Sequence, residues 1–309
     1  MRHRSLVTGK AMTMQFRILG SPELYDGIRR VSTPLSAPKQ RRLLGALLTR
    51  PNEPIPRQEL VRELWGVRSP VKSANSLNAH ASLLRRALGT AEPERAQAPR
   101  LVARDSGYLL HVRPGETDFG MFRHGLERAR TTAVQDPEGA YGLLRDALGL
   151  WRGAALEGAV HGPLGAHLAA RLEEEREEAL ELLFDCALRA GRHREIVSEL
   201  EEVTAAHPLH EPFHDQLMLA LCRCGREAEA IAAYRRARRH LPGGADRTPL
   251  LTARLEQIGA RSAVLAAPTA LPRDGAAHAR AADPVEPPPV FSVAGYLQEL
   301  FNGKALTAL

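Results

Sequence analysis

Residues 14–115 change their hydrophobic period twice, and this change limits the fold more than any other feature of the chain. Apolar and polar residues first alternate, as in β-strands, through MQFRILG, ELYD and RRVST. Three segments with the 3.6-residue period of an amphipathic helix follow. Alternation then returns in LVARDSGYLLHV, where Asp105-Ser106-Gly107 marks a hairpin turn. A small β-sheet, three helices and a C-terminal hairpin in this order predict a winged helix-turn-helix over residues 14–115.

Proline and glycine set the expected limits of the three helices. Pro38 suits the first turn of the first helix and Pro51 ends it. The second helix is predicted from about Arg57 to Trp65, with a glycine directly after it as its stop. Ser73 is expected to cap the third helix, which is predicted to run through Leu88 to the next glycine.

The third predicted helix has one apolar and one polar face. On a helical wheel its leucines lie together and form the expected core side. The opposite face has amides, a hydroxyl and an arginine, which can hydrogen-bond to base edges in the major groove, and a small residue that permits close approach. The predicted base-reading residues are Asn75, Asn78, Ala79, Ser82 and Arg86.

The net charge of +6 divides unevenly along the chain. Residues 1–115 contain 20 Lys and Arg against 8 Asp and Glu, a charge of +12, whereas residues 116–309 have a charge of −6. This division predicts a nucleic-acid-binding module followed by a protein-interaction module. The residues expected to contact DNA phosphates flank the polar face. They are Lys39, Arg41, Arg42, Lys72, His80, Arg85, Arg100, Arg104 and Arg113.

Helical patterns continue almost without interruption over residues 118–261, and they contain a repeat. The segments AGRHREIVSEL and CGREAEAIAAY align with Gly191 over Gly225, a separation of 34 residues that is typical of tetratricopeptide repeats. The second copy keeps the small, aromatic and proline positions of that pattern, whereas the first clearly keeps only Pro208. The predicted fold class is therefore mainly α, with a tetratricopeptide-like α-solenoid after the winged helix.

Both ends of the chain are expected to lie outside these two domains. Residues 1–13 are predicted to be a disordered lead, because they lack the apolar core of a secretory signal. Residues 262–309 are rich in Ala and Pro and predict a flexible tail, in which FSVAGYLQELFNG could form a short helix. No apolar run approaches the roughly 18 residues that a membrane span requires. Three cysteines are too few for a disulfide framework and indicate a reduced compartment. We expect a cytoplasmic, nucleoid-associated protein with no membrane partner.

Two motifs bear on an enzymatic function. Residues 210–214, HEPFH, match the HExxH signature of zinc proteases, whose histidines must share one face of a continuous helix. Pro212 would begin that helix and leave His210 outside it. Cys222 and Cys224 point to different helix faces and suit packing positions. We predict that the protein is not an enzyme and that it binds neither a metal nor a cofactor.

These segments resemble a known family. RILGSPELY, PKQRRLLGALLTRPNEPIPRQELVRELWG, SANSLNAHASLLRRALG and SGYLL resemble the OmpR-like DNA-binding domain of the antibiotic-biosynthesis regulatory activators, the SARP family. DFGMFRHGLERAR, ALGLWRGAAL and HPLHEPFHDQLMLALCRCGREAEAIAAYRRARRHL resemble the bacterial transcriptional activation domain that follows it in that family. The resemblance covers about Met14 to Arg261. It fails at Leu83, where the family commonly has an arginine directly before the Leu-Arg-Arg of the recognition helix.

The resemblance implies an activator of a secondary-metabolite (antibiotic) gene cluster. Such a protein binds direct repeats near the promoter −35 region, as a homodimer on double-stranded DNA, and recruits RNA polymerase holoenzyme including its sigma factor. By analogy with OmpR-like proteins, the polymerase-facing loop would consist of Val67, Arg68, Ser69, Pro70, Val71 and Lys72. Two alternatives stay open: a tetratricopeptide scaffold whose basic domain binds protein or RNA, and a repressor that uses the same DNA-binding domain.

Overall fold

The computed structural model describes residues 14–27, 29–35, 37–66, 72–92, 99–241 and 248–266. Ten helices and two small sheets in these ranges confirm the predicted, mainly helical fold class. The predicted lead, residues 67–71 of the predicted polymerase-facing loop and the predicted tail beyond residue 266 lie outside the described residues. In the described ranges, no helix is both long and apolar enough to cross a bilayer.

Two compact units make up the chain. The first, here called the winged-helix unit, consists of the residues up to His124 together with Leu150–Glu175. The second, here called the solenoid unit, consists of Gly125–Gly149 together with the residues from Arg176 onward. The winged-helix unit therefore contains residues from both sides of the domain boundary that we predict between residues 115 and 118.

A three-stranded antiparallel sheet opens the winged-helix unit and confirms the predicted meander. Its strands are β1 (Met14–Arg17), β2 (Glu23–Asp26) and β3 (Val31–Pro34), paired in that order. The alternating residues Phe16 and Leu24 are fully buried and face each other across the β1–β2 pair. The period of two thus directs one face of this sheet into the core.

Three helices follow, α1 (Pro38–Thr49), α2 (Arg57–Trp65) and α3 (Ser73–Ala91). Pro38 lies in the first turn of α1, as predicted, and Gly66 ends α2 with its amide donating to the Arg62 carbonyl. The apolar stripes of α1 and α3 are buried. They consist of Leu43, Leu44, Leu47 and Leu48 in α1 and of Leu77, Ala81, Leu84 and Leu88 in α3.

The ends of α3 differ from the sequence prediction. Ser73 is the first helical residue rather than the cap, because Lys72 occupies the cap position and its carbonyl accepts the Ser76 amide. The helix also continues past Gly89. The amide of Glu92 closes the last turn on the Leu88 carbonyl, and the buried Glu92 side chain holds this end in place.

The second sheet contains the predicted hairpin and one strand that the sequence did not predict. Strand β4 (Ile55–Pro56) pairs with β6 (Gly107–Leu110), which pairs with β5 (Leu101–Arg104). A two-residue strand is too short to show a period. Gly107 permits the close approach of β4 to β6, since a Cβ there would lie 1.9 Å from the Ile55 carbonyl oxygen.

Part of the chain predicted as solenoid completes the winged-helix unit. The amide of Leu156 donates to the carbonyl of Ile18 at 2.8 Å. The buried carboxylate of Asp118 accepts hydrogen bonds from the amides of Ile18 and Leu19 at 2.9–3.0 Å. Asp118 and Leu156 therefore both bond to the backbone that follows β1.

The other helices have the following bounds: α4 (Asp118–Ala133), α5 (Pro137–Leu148), α6 (Pro163–Arg189), α7 (His193–Ala206), α8 (Glu211–Arg223), α9 (Glu227–His240) and α10 (Pro249–Gly259). A short 3-10 turn at Ala263–Leu265 follows.

The predicted 34-residue repeat is present in the backbone of the solenoid unit. Gly191 and Gly225 follow α6 and α8 with nearly equal φ angles of 76° and 75°. In each turn the next residue, Arg192 or Arg226, donates its amide to the carbonyl five residues earlier, at 2.8 and 2.9 Å. This bond is typical of a helix that ends at a left-handed glycine.

The histidines of the HExxH match are used in packing. His210 occupies the cap position of α8, outside the helix, with Pro212 in the first turn. His214 is buried, and its Nε2 lies 3.1 Å from the Pro208 carbonyl oxygen. The ring of His210 stacks on Phe213 at 4.1 Å. No group of three or more metal-ligating side chains occurs in the part of the chain that the structure describes.

Candidate nucleic-acid interface

Four of the five predicted base-reading residues lie on an exposed face of α3 without a partner from the hairpin. Asn75, Ala79, Ser82 and Arg86 are all exposed, on the side opposite the buried leucines. The helical period places them there, because burial of one stripe turns the other stripe to the surface. The Ser82 hydroxyl donates to the Asn78 carbonyl at 2.9 Å, so its oxygen remains available as an acceptor.

Asn78, the fifth of these residues, is oriented by two protein groups. Its Oδ1 accepts hydrogen bonds from the Tyr108 hydroxyl at 2.7 Å and from Arg57 Nη1 at 3.0 Å. The amide oxygen is thus occupied, and the amide nitrogen is the group that could donate to a base. Tyr108 and Arg57 are not predictable from the sequence as partners of Asn78, because nothing in their local pattern shows that β6 and α2 meet α3 at this residue.

Three of the predicted phosphate contacts are half-buried arginines held by backbone carbonyls. Arg85 Nε donates to the Leu101 carbonyl at 2.9 Å, and Arg41 Nη1 donates to the Leu35 carbonyl at 2.8 Å. Arg42 Nη1 lies 3.4 Å from a carbonyl oxygen at the end of α2. Each bond uses one of the five guanidinium hydrogens and fixes the direction of the rest.

Arg100 does not contact a phosphate, contrary to the prediction from the sequence. Its side chain is buried, with the residue 3% exposed. Nε bonds to Glu92 at 2.6 Å, Nη1 bonds to Glu116 at 2.5 Å, and Nη1 also donates to the His111 carbonyl at 3.2 Å. The guanidinium therefore cannot reach DNA.

The ion pairs of Arg100 also shift the pKa values of this cluster. Burial tends to lower the pKa of Arg100, but the hydrogen bonds and charges of Glu92 and Glu116 outweigh it. Burial tends to raise the pKa of Glu116, but the hydrogen bonds and charges of Arg100 and Arg113 outweigh it. The pKa of Arg100 is therefore raised and that of Glu116 is lowered. Both groups remain charged at neutral pH.

His80 is also poorly suited to attract a phosphate. Its ring is half-buried and lies 5.9 Å from the ring of Trp65, and the Lys39 ammonium lies 4.9 Å from that Trp65 ring. Burial, together with the positive charge of Lys39, lowers the pKa of His80 below its usual 6.5. The imidazole is therefore mostly neutral at pH 7 and could offer a phosphate only a neutral N–H.

Three of the remaining predicted phosphate contacts are open to solvent. Lys72 at the start of α3, Arg104 at the end of β5 and Arg113 beyond β6 are all exposed. Lys72 is also the one residue of the predicted polymerase-facing loop that the structure describes. These exposed cations, before the helix and in the hairpin, are accessible to a ligand with negative charge.

Comparison with known proteins agrees with this arrangement. Residues 34–110 match the family described as "Transcriptional regulatory protein, C terminal", and residues 117–258 match "Bacterial transcriptional activator domain". Transcriptional regulator RedD of Streptomyces coelicolor is 35% identical over 78% of this chain and 69% of RedD. Regulatory protein DnrI of Streptomyces peucetius is 32% identical over 85% of this chain and 96% of DnrI. The chain belongs to the SARP family. Both matching family descriptions and the printed names of both relatives are those of regulatory proteins.

Larger relatives share only part of their length with this SARP regulator. Regulatory protein AfsR of Streptomyces griseus is 35% identical over 76% of this chain, but the match spans only 23% of AfsR. The solved structure of Mycobacterium tuberculosis EmbR in complex with a low-affinity phosphopeptide has a TM-score of 0.71 and 28% identity. That similarity covers 81% of this chain and 65% of the EmbR chain. The winged helix and the helices after it therefore recur together in a solved structure.

Proposed function

We propose that this SARP regulator binds double-stranded DNA sequence-specifically, with α3 in the major groove, and activates a secondary-metabolite gene cluster. The observation that carries the proposal is the exposed polar face of α3, which lies opposite a buried leucine stripe. With 19 residues, α3 is about 28 Å long, and the major groove admits an α-helix. Asn75, Ser82 and Arg86 are spread over about three turns of that face and offer hydrogen-bonding groups to base edges.

The phosphates on either side would be held by cations from three elements. Lys39, Arg41 and Arg42 come from the first turns of α1, Lys72 precedes α3, and the hairpin supplies Arg104 and Arg113; these sets would contact the backbone on opposite sides of the groove. Such contacts position the protein but do not specify a sequence, so specificity would come from α3.

The mechanism of activation rests on membership of the SARP family and on the match to a bacterial transcriptional activator domain. We propose that two copies bind direct repeats near the −35 region and recruit RNA polymerase holoenzyme, including its sigma factor. The loop at residues 67–72 is our proposed polymerase-facing element. A protein acting in this way works in the cytoplasm at the nucleoid.

Substitution of Arg86 by Ala tests the assignment of α3. The full-length protein is first used to select a preferred duplex from a random library. Arg86→Ala is expected to weaken binding to that duplex by about 1 to 3 kcal/mol and to relax sequence preference at one position. Competition binding against a random duplex measures both effects.

Two variants provide controls. Arg104→Ala is expected to weaken binding to the selected duplex and to a random duplex equally, because a phosphate contact has no sequence preference. Arg235→Ala, an exposed arginine on α9, is expected to change neither. If Arg86→Ala weakens binding to both duplexes equally, the base-reading assignment is contradicted. Transcription from a promoter with the selected repeats is expected to rise when protein is added, and a fall would make the protein a repressor.

A further inference from the structure

Leu83 is an exception among the large apolar side chains of α3. It is 40% exposed, whereas Leu77 and Leu84 are fully buried and Leu88 is 4% exposed. Burying a leucine side chain from water is favourable, because apolar surface is removed from the solvent. A leucine left at the surface of a helix therefore retains apolar area that a ligand could cover.

The position of Leu83 joins it to the proposed base-reading face. At 3.6 residues per turn, it lies about 40° around the helix from Ala79 and about 60° from Arg86. Both neighbours are exposed. The opposite shoulder of that face carries Asn78 and Arg85, which contact the hairpin. Leu83 thus borders the face on the side away from the hairpin.

Thymine is the base that offers an apolar group in the major groove, because its C5-methyl projects there. We infer that Leu83, together with Ala79, contacts thymine methyl groups and makes this regulator prefer thymine at one or two operator positions. This inference rests on the proposed function. A leucine beside a small alanine forms a shallow apolar surface that fits a methyl group, whereas hydrogen-bonding side chains serve the neighbouring bases.

The surroundings of Leu83 favour DNA over a protein partner. The next exposed residues on this face, Asn75, Ser82 and Arg86, are polar or charged. A protein interface has a larger apolar centre than one leucine can provide. Amides, a hydroxyl and a guanidinium around one apolar side chain instead match a groove that presents donors, acceptors and methyl groups together.

Deoxyuridine substitution tests this contact directly, because deoxyuridine pairs as thymidine does but lacks the C5-methyl. The full-length protein and its selected duplex are used, and each thymine is replaced by deoxyuridine in turn. At one or two positions we expect the Kd to rise about fourfold, the factor that corresponds to one buried methyl group. At the other thymines we expect no change.

Variants assign the effect to the side chain. Leu83→Ala is expected to bind the thymine and deoxyuridine duplexes equally at those positions, whereas Leu83→Met is expected to keep the preference for thymine. Leu209→Ala, the same truncation at an exposed leucine in the solenoid unit, is expected to keep it as well. Thermal unfolding of each variant checks that the fold is intact.

The outcomes distinguish the methyl contact of Leu83 from sequence-specific DNA binding. Equal binding of the wild-type protein to every deoxyuridine duplex would overturn the methyl contact and leave sequence-specific binding in place. A thymine preference that persists in Leu83→Ala would also overturn the assignment to Leu83. If the library yields no preferred duplex, the proposed function and this inference fail together.

Discussion

Arg100 joins three parts of the winged-helix unit through one side chain. Its guanidinium bonds to Glu92 at the end of α3, to Glu116 before α4 and to the carbonyl of His111 beyond β6. The amide of Arg113 donates to the Glu116 carboxylate at 2.7 Å. These bonds satisfy a buried charge that would otherwise carry a large desolvation penalty.

Removal of this guanidinium is expected to affect folding before DNA binding. Arg100→Ala would leave two buried carboxylates without a cation, a loss typically of about 3 to 5 kcal/mol in the free energy of unfolding. Urea unfolding followed by circular dichroism measures it. The matched control is Arg104→Ala in the same hairpin, which is exposed and should change stability by no more than about 0.5 kcal/mol. An unchanged stability for Arg100→Ala, with weakened DNA binding, would show that Arg100 faces the DNA.

The contrast between Arg100 and Arg104 shows that the sequence does not reveal which arginine is buried and which is exposed. Both are arginines of one hairpin, and both were expected to contact phosphates. Glu92 and Glu116 decide the difference, although they lie 8 and 16 residues from Arg100 in sequence. Composition identifies a cation, but only the folded chain shows which carboxylates surround it.

At the scale of elements, a carboxylate from another helix caps the first turn of α6. Glu63 of α2, which is 1% exposed, accepts the amides of Leu164 and Gly165 at 2.9 Å each. The first amides of a helix lack partners within it, and a negative charge there also interacts favourably with the helix dipole. Gly162 makes room for the approach, since a Cβ there would lie 2.3 Å from the Glu63 carboxylate.

Loss of this cap is expected to destabilise the winged-helix unit. Glu63→Ala would leave two amides at the start of α6 unsatisfied, at a cost of about 1 to 3 kcal/mol. Urea unfolding measures the loss, and hydrogen exchange at Leu164 and Gly165 should accelerate. Glu59→Ala, also on α2, removes a partly exposed pair with Arg50 and is expected to cost less than about 1 kcal/mol. Equal effects of the two variants would argue against a special role for Glu63.

Elements with a long period or a glycine turn were predictable from the sequence. The helices α1 and α2 are present as expected, and so are the two glycine turns at Gly191 and Gly225, which lie 34 residues apart. Strand β4 was not predictable, because two residues show no period. The extension of α3 past Gly89 was also missed, since a bond from Glu92 and its burial hold the last turn against the weak helix preference of glycine.

At the scale of the whole molecule, the divided charge predicts that the affinity for DNA depends on the salt concentration. The first 115 residues have a charge of +12 and the rest a charge of −6. If about six phosphates are neutralised, affinity for DNA should fall by about 10³-fold or more between about 50 and about 200 mM salt, because counterions are released. Binding measured over a salt series gives the slope.

Matched arginines in the two units check the origin of that slope. Arg104→Gln, in the basic part, should reduce its magnitude by about one. Arg235→Gln, in the acidic part, should leave it unchanged. A flat titration for the wild-type protein would contradict the phosphate contacts proposed for the winged-helix unit.

The sequence by itself determined the order of elements, the polar face of α3, the 34-residue repeat and the division of charge, because each depends on local periods and counts. Tertiary structure alone decided which polar groups are available. It buried Arg100 between Glu92 and Glu116, tied Asn78 to Tyr108 and brought Glu63 to the start of α6. Such pairings depend on which distant segments meet in space, and hydrophobic period carries no information about that.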